Sequence, residues 1–261
     1  STLSPSSAAS DVYKRQEEGV NVVWCTPYES VGAKVSHDGD KTTGGGLAWG
    51  GGCSPTLTPN LVLFTDNADP VKLLALDMKT GEVVASIPVL DDLSDGYQVA
   101  VENSAIVYDD GEGTVSTIVC NWFGAGNAGL ADPDNDSSIQ SYANIYDQNW
   151  LMKGNVMIAP GVERVDTLKT ADGYEMKSVW SRNDLRDTAI MKLSTATGYI
   201  YGYVQDLDTG MWQYIILDFA TGETVFTMDV SNKYGYNNMA IGMYTGSNGN
   251  TLYCPTGYLE L

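Results

Sequence analysis

Two segments of the chain carry the same order of apolar and polar positions: LLALDMKTGEVVASIPV at Leu73–Val89 and YIILDFATGETVFTMDV at Tyr214–Val230. Each reads as an apolar strand, an aspartate, a two-residue step, a Thr-Gly turn and a second strand in which apolar and polar residues alternate. Alternation of period two turns one side of a strand to a core and the other to solvent, so each segment predicts a β-hairpin. Gly81 and Gly222 stand where the reversal needs a positive φ, and Asp77 and Asp218 where a carboxylate bonds amides across the turn. The turn glycines are 141 residues apart (222 − 81), or three units of 47. A weaker copy between them, VDTLKTADGYEMKSVW, places Asp172-Gly173 in the turn and Val179-Trp180 at the end of the return strand, giving steps of two units and one.

A second series supports the period. Turn-like stretches lead into short apolar strands at Pro55, Val99, Leu151, Ser194 and Thr245, and aligning Val62, Ile106, Met157, Ile200 and Leu252 gives steps of 44, 51, 43 and 52. Repeats of about 40 to 50 residues with about four short strands each are what propeller blades require. Paired-helix solenoids share the period but need amphipathic helices, for which the chain offers little beyond Ile139, Tyr142, Ala143, Tyr146 and Trp150 at helical spacing. The expected fold is all-β, a β-propeller of four-stranded antiparallel blades with about five blades.

The LxALDxxTGE hairpin, preceded by Ser54-Pro55-Thr56-Leu57 running into LVLFTDN, resembles the repeat of the PQQ-like, or quinoprotein-like, β-propellers from about Gly44 onward. That resemblance implies either a quinone-dependent dehydrogenase or a non-catalytic scaffold. The tryptophan that closes the family's repeat is absent, with Ser86 in the first copy and Thr227-Met228 in the second, so other aromatics are expected to dock the blades. The dehydrogenases of the family carry two adjacent cysteines against the cofactor, and this chain has no Cys-Cys pair. PQQ is therefore not expected as a cofactor.

Charge narrows the partners. The chain has 33 Asp and Glu against 14 Lys and Arg, a formal −19, which disfavours nucleic acid and anionic membrane surfaces because phosphate binding draws on basic clusters. No apolar run approaches the roughly 20 residues needed to cross a bilayer as a helix. A secreted or cell-surface monomer that binds a protein or carbohydrate is expected. Residues 1–16, STLSPSSAASDVYKRQ, lack periodicity and resemble a translated sequencing-adapter peptide found in fragments assembled from environmental DNA. They are read as outside the fold, leaving 17–261 as one propeller domain that is expected to be part of a longer bacterial protein.

The candidate chemistry is sparse. Cys25, Cys53, Cys120 and Cys254 are far apart with no CxxC, which argues against zinc and for buried thiols, with one disulfide as the alternative. Asp132, Asp134 and Asp136 alternate as in the opening of a calcium loop, though Ser137 and Ala143 stand where an EF-hand has its glycine and glutamate. Trp49 lies within a glycine-rich stretch, Gly44 to Gly52, that lacks a phosphate-loop Lys, and it is the candidate to line a ligand surface. The single histidine, His37, is expected to be an exposed loop residue. Five-bladed propellers include hydrolases built on two acids, and Asp66, Asp69, Asp109, Asp110, Glu163 and Asp206 all border predicted strands, but no spacing singles out a pair. The expected function is a non-catalytic scaffold, the alternative an enzyme of either the dehydrogenase or the glycoside hydrolase class.

Overall fold

The computed structural model describes residues 7–16, 19–30, 52–93, 99–123, 159–187, 189–206, 209, 211–231, 244–245 and 251–252. Among them every regular element is a strand. The fold is an all-β β-propeller of antiparallel, four-stranded blades. The first blade runs β3 (Thr56–Leu57), β4 (Leu61–Thr65), β5 (Lys72–Asp77) and β6 (Val83–Pro88). The second runs β7 (Ile106–Asp109), β8 (Thr114–Cys120), β9 (Val162–Thr170) and β10 (Gly173–Arg182). In the third, β11 (Arg186–Asp187) and β12 (Lys192–Ser194) both pair with β13 (Tyr199–Gln205), and β14 (Trp212–Asp218) and β15 (Thr224–Ser231) follow. Before these lies the hairpin of β1 (Ser7–Gln16) and β2 (Gly19–Glu29), and after them the short pair β16 (Tyr244–Thr245) and β17 (Thr251–Leu252).

Strand burial follows position in the blade. LVLFT of β4 is buried throughout, whereas β6 has no buried residue and β15 is mostly exposed, as expected for an inner and an outer strand. The sheets pack face to face through two apolar clusters, one joining Phe64, Leu73 and Leu76 to Val119 and Val165, the other joining Ile118 and Val162 to Ile200, Ile215 and Leu217.

One backbone hydrogen bond recurs and fixes equivalent positions. Met78 N donates to Asn60 O at 2.9 Å, Lys169 N to Gly113 O at 2.8 Å and Phe219 N to Gly198 O at 2.9 Å. By this ruler Val62 and Ile200 are matched by Val115 on β8, not by Ile106, which lies on β7. The step from Gly81 to Gly173 is likewise one blade and not two. The extra length lies between Cys120 and Val162 inside the second blade, and the apolar segment at Leu151 lies outside the described residues.

Tryptophans dock the sheets from the preceding outer strand. Trp24 on β2 lies against Gly81 and donates Nε1–H to Met78 O at 3.0 Å, while Thr26 Oγ1 donates to Gly81 O at 2.7 Å. Trp180 on β10 lies against Gly222 and donates to Phe219 O at 3.0 Å, and Arg182 Nη1 donates to Gly222 O at 2.7 Å. Both glycines hold positive φ, 73° and 72°, and a Cβ on either would meet the indole within 2.4 and 2.6 Å. These turns need glycine for both reasons. Ser86, on the outer strand of the first blade, is exposed, and no tryptophan docks onto the second blade's short β9–β10 turn among the described residues.

Candidate functional site

The ends of β4, β8 and β13 carry matched polar side chains. Asp66, Asn121 and Asp206 each donate their own amide to the residue leading the next strand, at Lys72 O (3.0 Å), Gly161 O (2.8 Å) and Met211 O (2.8 Å). Their side chains then cap the connecting loop. Asp66 Oδ1 accepts from Ala68 N and Lys72 N at 3.0 and 2.9 Å. Asn121 Oδ1 accepts from Ala100 N and Phe123 N at 3.2 and 3.1 Å, and Asp206 Oδ1 from Thr209 N at 2.8 Å. Glu163 serves similarly, accepting from Leu90 N at 2.6 Å. Its burial pushes its pKa above the ordinary range, with Asp92 and Asp91 adding to the effect against its hydrogen bonds from Ser178 and Leu90.

Asp187 and Cys120 form a buried pair where the second and third blades meet. Asp187 is fully buried, accepts from Ala189 N at 3.3 Å, and has its pKa raised from 3.8 to about 8 because burial disfavours the carboxylate. Burial and the adjacent Asp187 likewise push the Cys120 thiol up. A thiol in this setting is protonated and unreactive at neutral pH. Asn103 Nδ2 donates to Ala189 O at 3.1 Å and ties the same loop to the chain before β7.

At the opposite ends of the strands, carboxylates organise the turns. Asp77 Oδ1 accepts from Lys79 N and Thr80 N, and Asp218 Oδ1 from Ala220 N and Thr221 N, all within 2.9 Å. Asp109 caps Gly111 N at 2.8 Å, while Asp110 takes Glu112 N and Thr114 N at 2.7 and 3.0 Å. The bonds from Thr114 and then Glu112 hold Asp110 below the usual carboxylate range, as those from Thr80 and Lys79 do for Asp77. Beside the Asp109–Gly113 turn, between the first and second blades, opens a groove of about 390 Å³ lined by Thr58, Asn60, Leu61, Val115, Lys169 and Tyr174.

Between the second and third blades the position that matches Lys169 is taken by Phe219. The Phe219 ring meets Tyr108 edge-on at 6.1 Å and lies under the Arg164 guanidinium, 3.9 Å from its centroid. Arg164 is held by both oxygens of Asp166 at 3.0 Å, by Ser116 Oγ at 3.1 Å and by Phe219 O at 2.9 Å.

Of the residues proposed from sequence, Trp49, His37, Cys254 and the Asp132, Asp134, Asp136 trio lie outside the described residues. Of the six bordering acids, Asp66, Asp109, Asp110, Glu163 and Asp206 cap backbone amides, and Asp69 is exposed. Cys53 and Cys120 are buried thiols as expected, whereas Cys25 is exposed on β2, because its neighbour Trp24 takes the inward face of the strand. Among the described residues no three His, Cys, Asp or Glu side chains converge on one metal position. Asp187 and the groove around Lys169 were not singled out from sequence. Asn121 was hidden as well, since TIVCN laid on LFTDN sets it against Asn67 and not against Asp66.

No family model and no curated protein matches the chain. Among solved structures it is similar to BamB from Moraxella catarrhalis, with a TM-score of 0.41 and 11% identity over 94% of this chain and 65% of that one. It is also similar to the Dos1 propeller (0.27, 10%, covering 91% and 54%) and to a hypothetical selenium-binding protein from Sulfolobus tokodaii (0.28, 8%, covering 95% and 61%). The chain thus spans between about half and two thirds of the length of these structures.

Proposed function

We propose that this chain is a non-catalytic binding platform of the propeller type, secreted or displayed at a cell surface, whose partner is a protein. The observation that carries the reading is the use made of its acids. Asp66, Asp109, Asp110, Glu163 and Asp206, the carboxylates best placed by sequence for acid–base work, each accept main-chain N–H bonds that shape a turn or loop. A general acid or a nucleophile needs a carboxyl directed at substrate, and a glycosidase needs two facing each other across a sugar. These side chains instead hold the turns and loops that join strands in fixed positions, which suits a rigid surface for recognition.

PQQ does not fit this reading. Cys25, Cys53, Cys120 and Cys254 are far apart along the chain, and no two of them form the adjacent pair of the dehydrogenases. Calcium at Asp132, Asp134 and Asp136 is compatible with it, as an ion bound in the stretch of chain between β8 and β9.

The test is a combined assay on the intact chain. PQQ with calcium should leave the melting temperature where calcium alone puts it, and nitrophenyl glycosides should not be hydrolysed. A further shift on adding PQQ, or turnover abolished by substitution of a buried acid, would overturn the platform reading.

A further inference from the structure

Among the described residues three seams between neighbouring sheets share one plan, and the middle one lacks two of its parts. The recurring backbone bond makes Met78, Lys169 and Phe219 equivalent. At the seam entering the first blade, Met78 packs against the core cluster and its carbonyl receives Trp24. At the seam entering the third blade, Phe219 fills the space under Arg164 and its carbonyl receives Trp180. At the seam entering the second blade the equivalent residue is Lys169, which is exposed, and no indole docks there among the described residues. The result is the groove of about 390 Å³, floored by Leu61, Val115 and Tyr174. That is room for an aromatic side chain and part of its backbone.

We propose that this groove is a docking slot for an apolar side chain, aromatic by preference, carried next to a basic residue on a segment of a partner protein. The proposal rests on the binding-platform reading above. The shape argument is internal to the molecule: one blade on, Phe219, the counterpart of Lys169, packs an aromatic ring on the neighbouring sheet beneath a cation. The charge argument is local and global. Asp109 and Glu112 on the groove wall outnumber Lys169, and the chain as a whole carries −19. A partner that placed a ring on Leu61 and Tyr174 would bring its cation to these carboxylates, as Arg164 is brought to Asp166 at the filled seam.

The experiment titrates the intact chain with acetyl-Phe-Arg-amide, acetyl-Ala-Arg-amide and acetyl-Phe-Glu-amide, read by amide chemical shifts or calorimetry. Binding of Phe-Arg in the millimolar range is expected, with about tenfold weaker binding of the other two. Lys169→Phe should fill the slot from within, raising the melting temperature and abolishing peptide binding. Glu112→Gln, at an exposed turn, should keep the fold and weaken Phe-Arg severalfold, the difference shrinking in high salt. No saturable binding of Phe-Arg at about 10 mM, or binding unchanged by Lys169→Phe, would overturn the slot. Either result, in a protein that shows no glycosidase turnover and no PQQ shift, leaves the platform reading standing on another face. Turnover or a PQQ shift removes that reading, whatever the peptides do.

Discussion

Replacing Gly222 by alanine tests the docking geometry most directly. An alanine there adopts φ near 72°, which costs a non-glycine residue about 1 kcal/mol. Its methyl would also stand 2.6 Å from Cδ2 and 2.8 Å from Cε3 of Trp180, well inside contact distance, so the indole must withdraw. Withdrawal breaks the 3.0 Å bond to Phe219 O, a loss of about 1 kcal/mol, and uncovers apolar surface worth about 1 kcal/mol more. Gly222→Ala should therefore cost about 3 kcal/mol, or roughly 6 to 12 °C in melting temperature for a chain of this size. Gly111 is the control, since its φ is 76° but an added Cβ meets nothing within 4 Å, so Gly111→Ala should cost only the backbone share of about 1 kcal/mol. Urea denaturation followed by circular dichroism supplies the free energies, and a cycle with Trp180→Ala separates the two causes. In the Trp180→Ala background Gly222→Ala should cost only about 1 kcal/mol. Equal costs in both backgrounds, within about 0.5 kcal/mol, would refute the claim that the ring and the glycine are coupled.

Other outcomes follow from the buried charges and caps. The folded chain holds the Asp187 proton up to about pH 8 and the unfolded chain only to 3.8, so stability should fall as pH rises through that window, by up to about 1 kcal/mol per unit, and level off above it. Asp187→Asn should flatten that slope in urea midpoints taken at pH 5, 7 and 9, and an unchanged slope would assign it to other groups. Asp166→Asn strands the Arg164 guanidinium in a buried seam and should cost about 3 to 5 kcal/mol by chemical denaturation, while Arg164→Lys, which loses the two-pronged contact, should cost less. Asp218→Ala removes the cap on Ala220 N and Thr221 N and should cost about 1 kcal/mol. Terbium luminescence should report a lanthanide at the calcium candidate, and Asp134→Ala should abolish it if those side chains bind the ion.

The hairpins were legible because their signal is local. Asp77, Gly81, Asp218 and Gly222 meet partners within five residues, so turn chemistry alone exposes them. The blade count between them was not. A period measured along the chain cannot tell a whole blade from a long connection, and Ile106 was aligned with Val62 although the backbone bonding matches Val62 to Val115. The docking tryptophans were displaced for a related reason: each serves the turn of the following sheet, so Trp24 answers Gly81 across 57 residues (81 − 24) and Trp180 answers Gly222 across 42 (222 − 180). Asp187 carries no pattern at all. Its character comes from burial where two blades meet, which only the assembled fold creates. The groove was invisible because it is made by omission, where a lysine stands in an otherwise apolar series.

The long connection of the second blade also bears on how the chain folds. In the first and third blades the second and third strands are joined by six residues, 66–71 and 206–211, whereas β8 and β9 are separated by the 41 residues 121–161. Loop-closure entropy grows as about three halves of RT times the logarithm of length, so on chain length alone joining β8 to β9 starts roughly 1.7 kcal/mol behind its two counterparts. The first and third blades can form from local contacts, and the second completes only when β9 arrives from far along the chain. The middle of the propeller is then the last part to assemble, with β8 an open edge until it does.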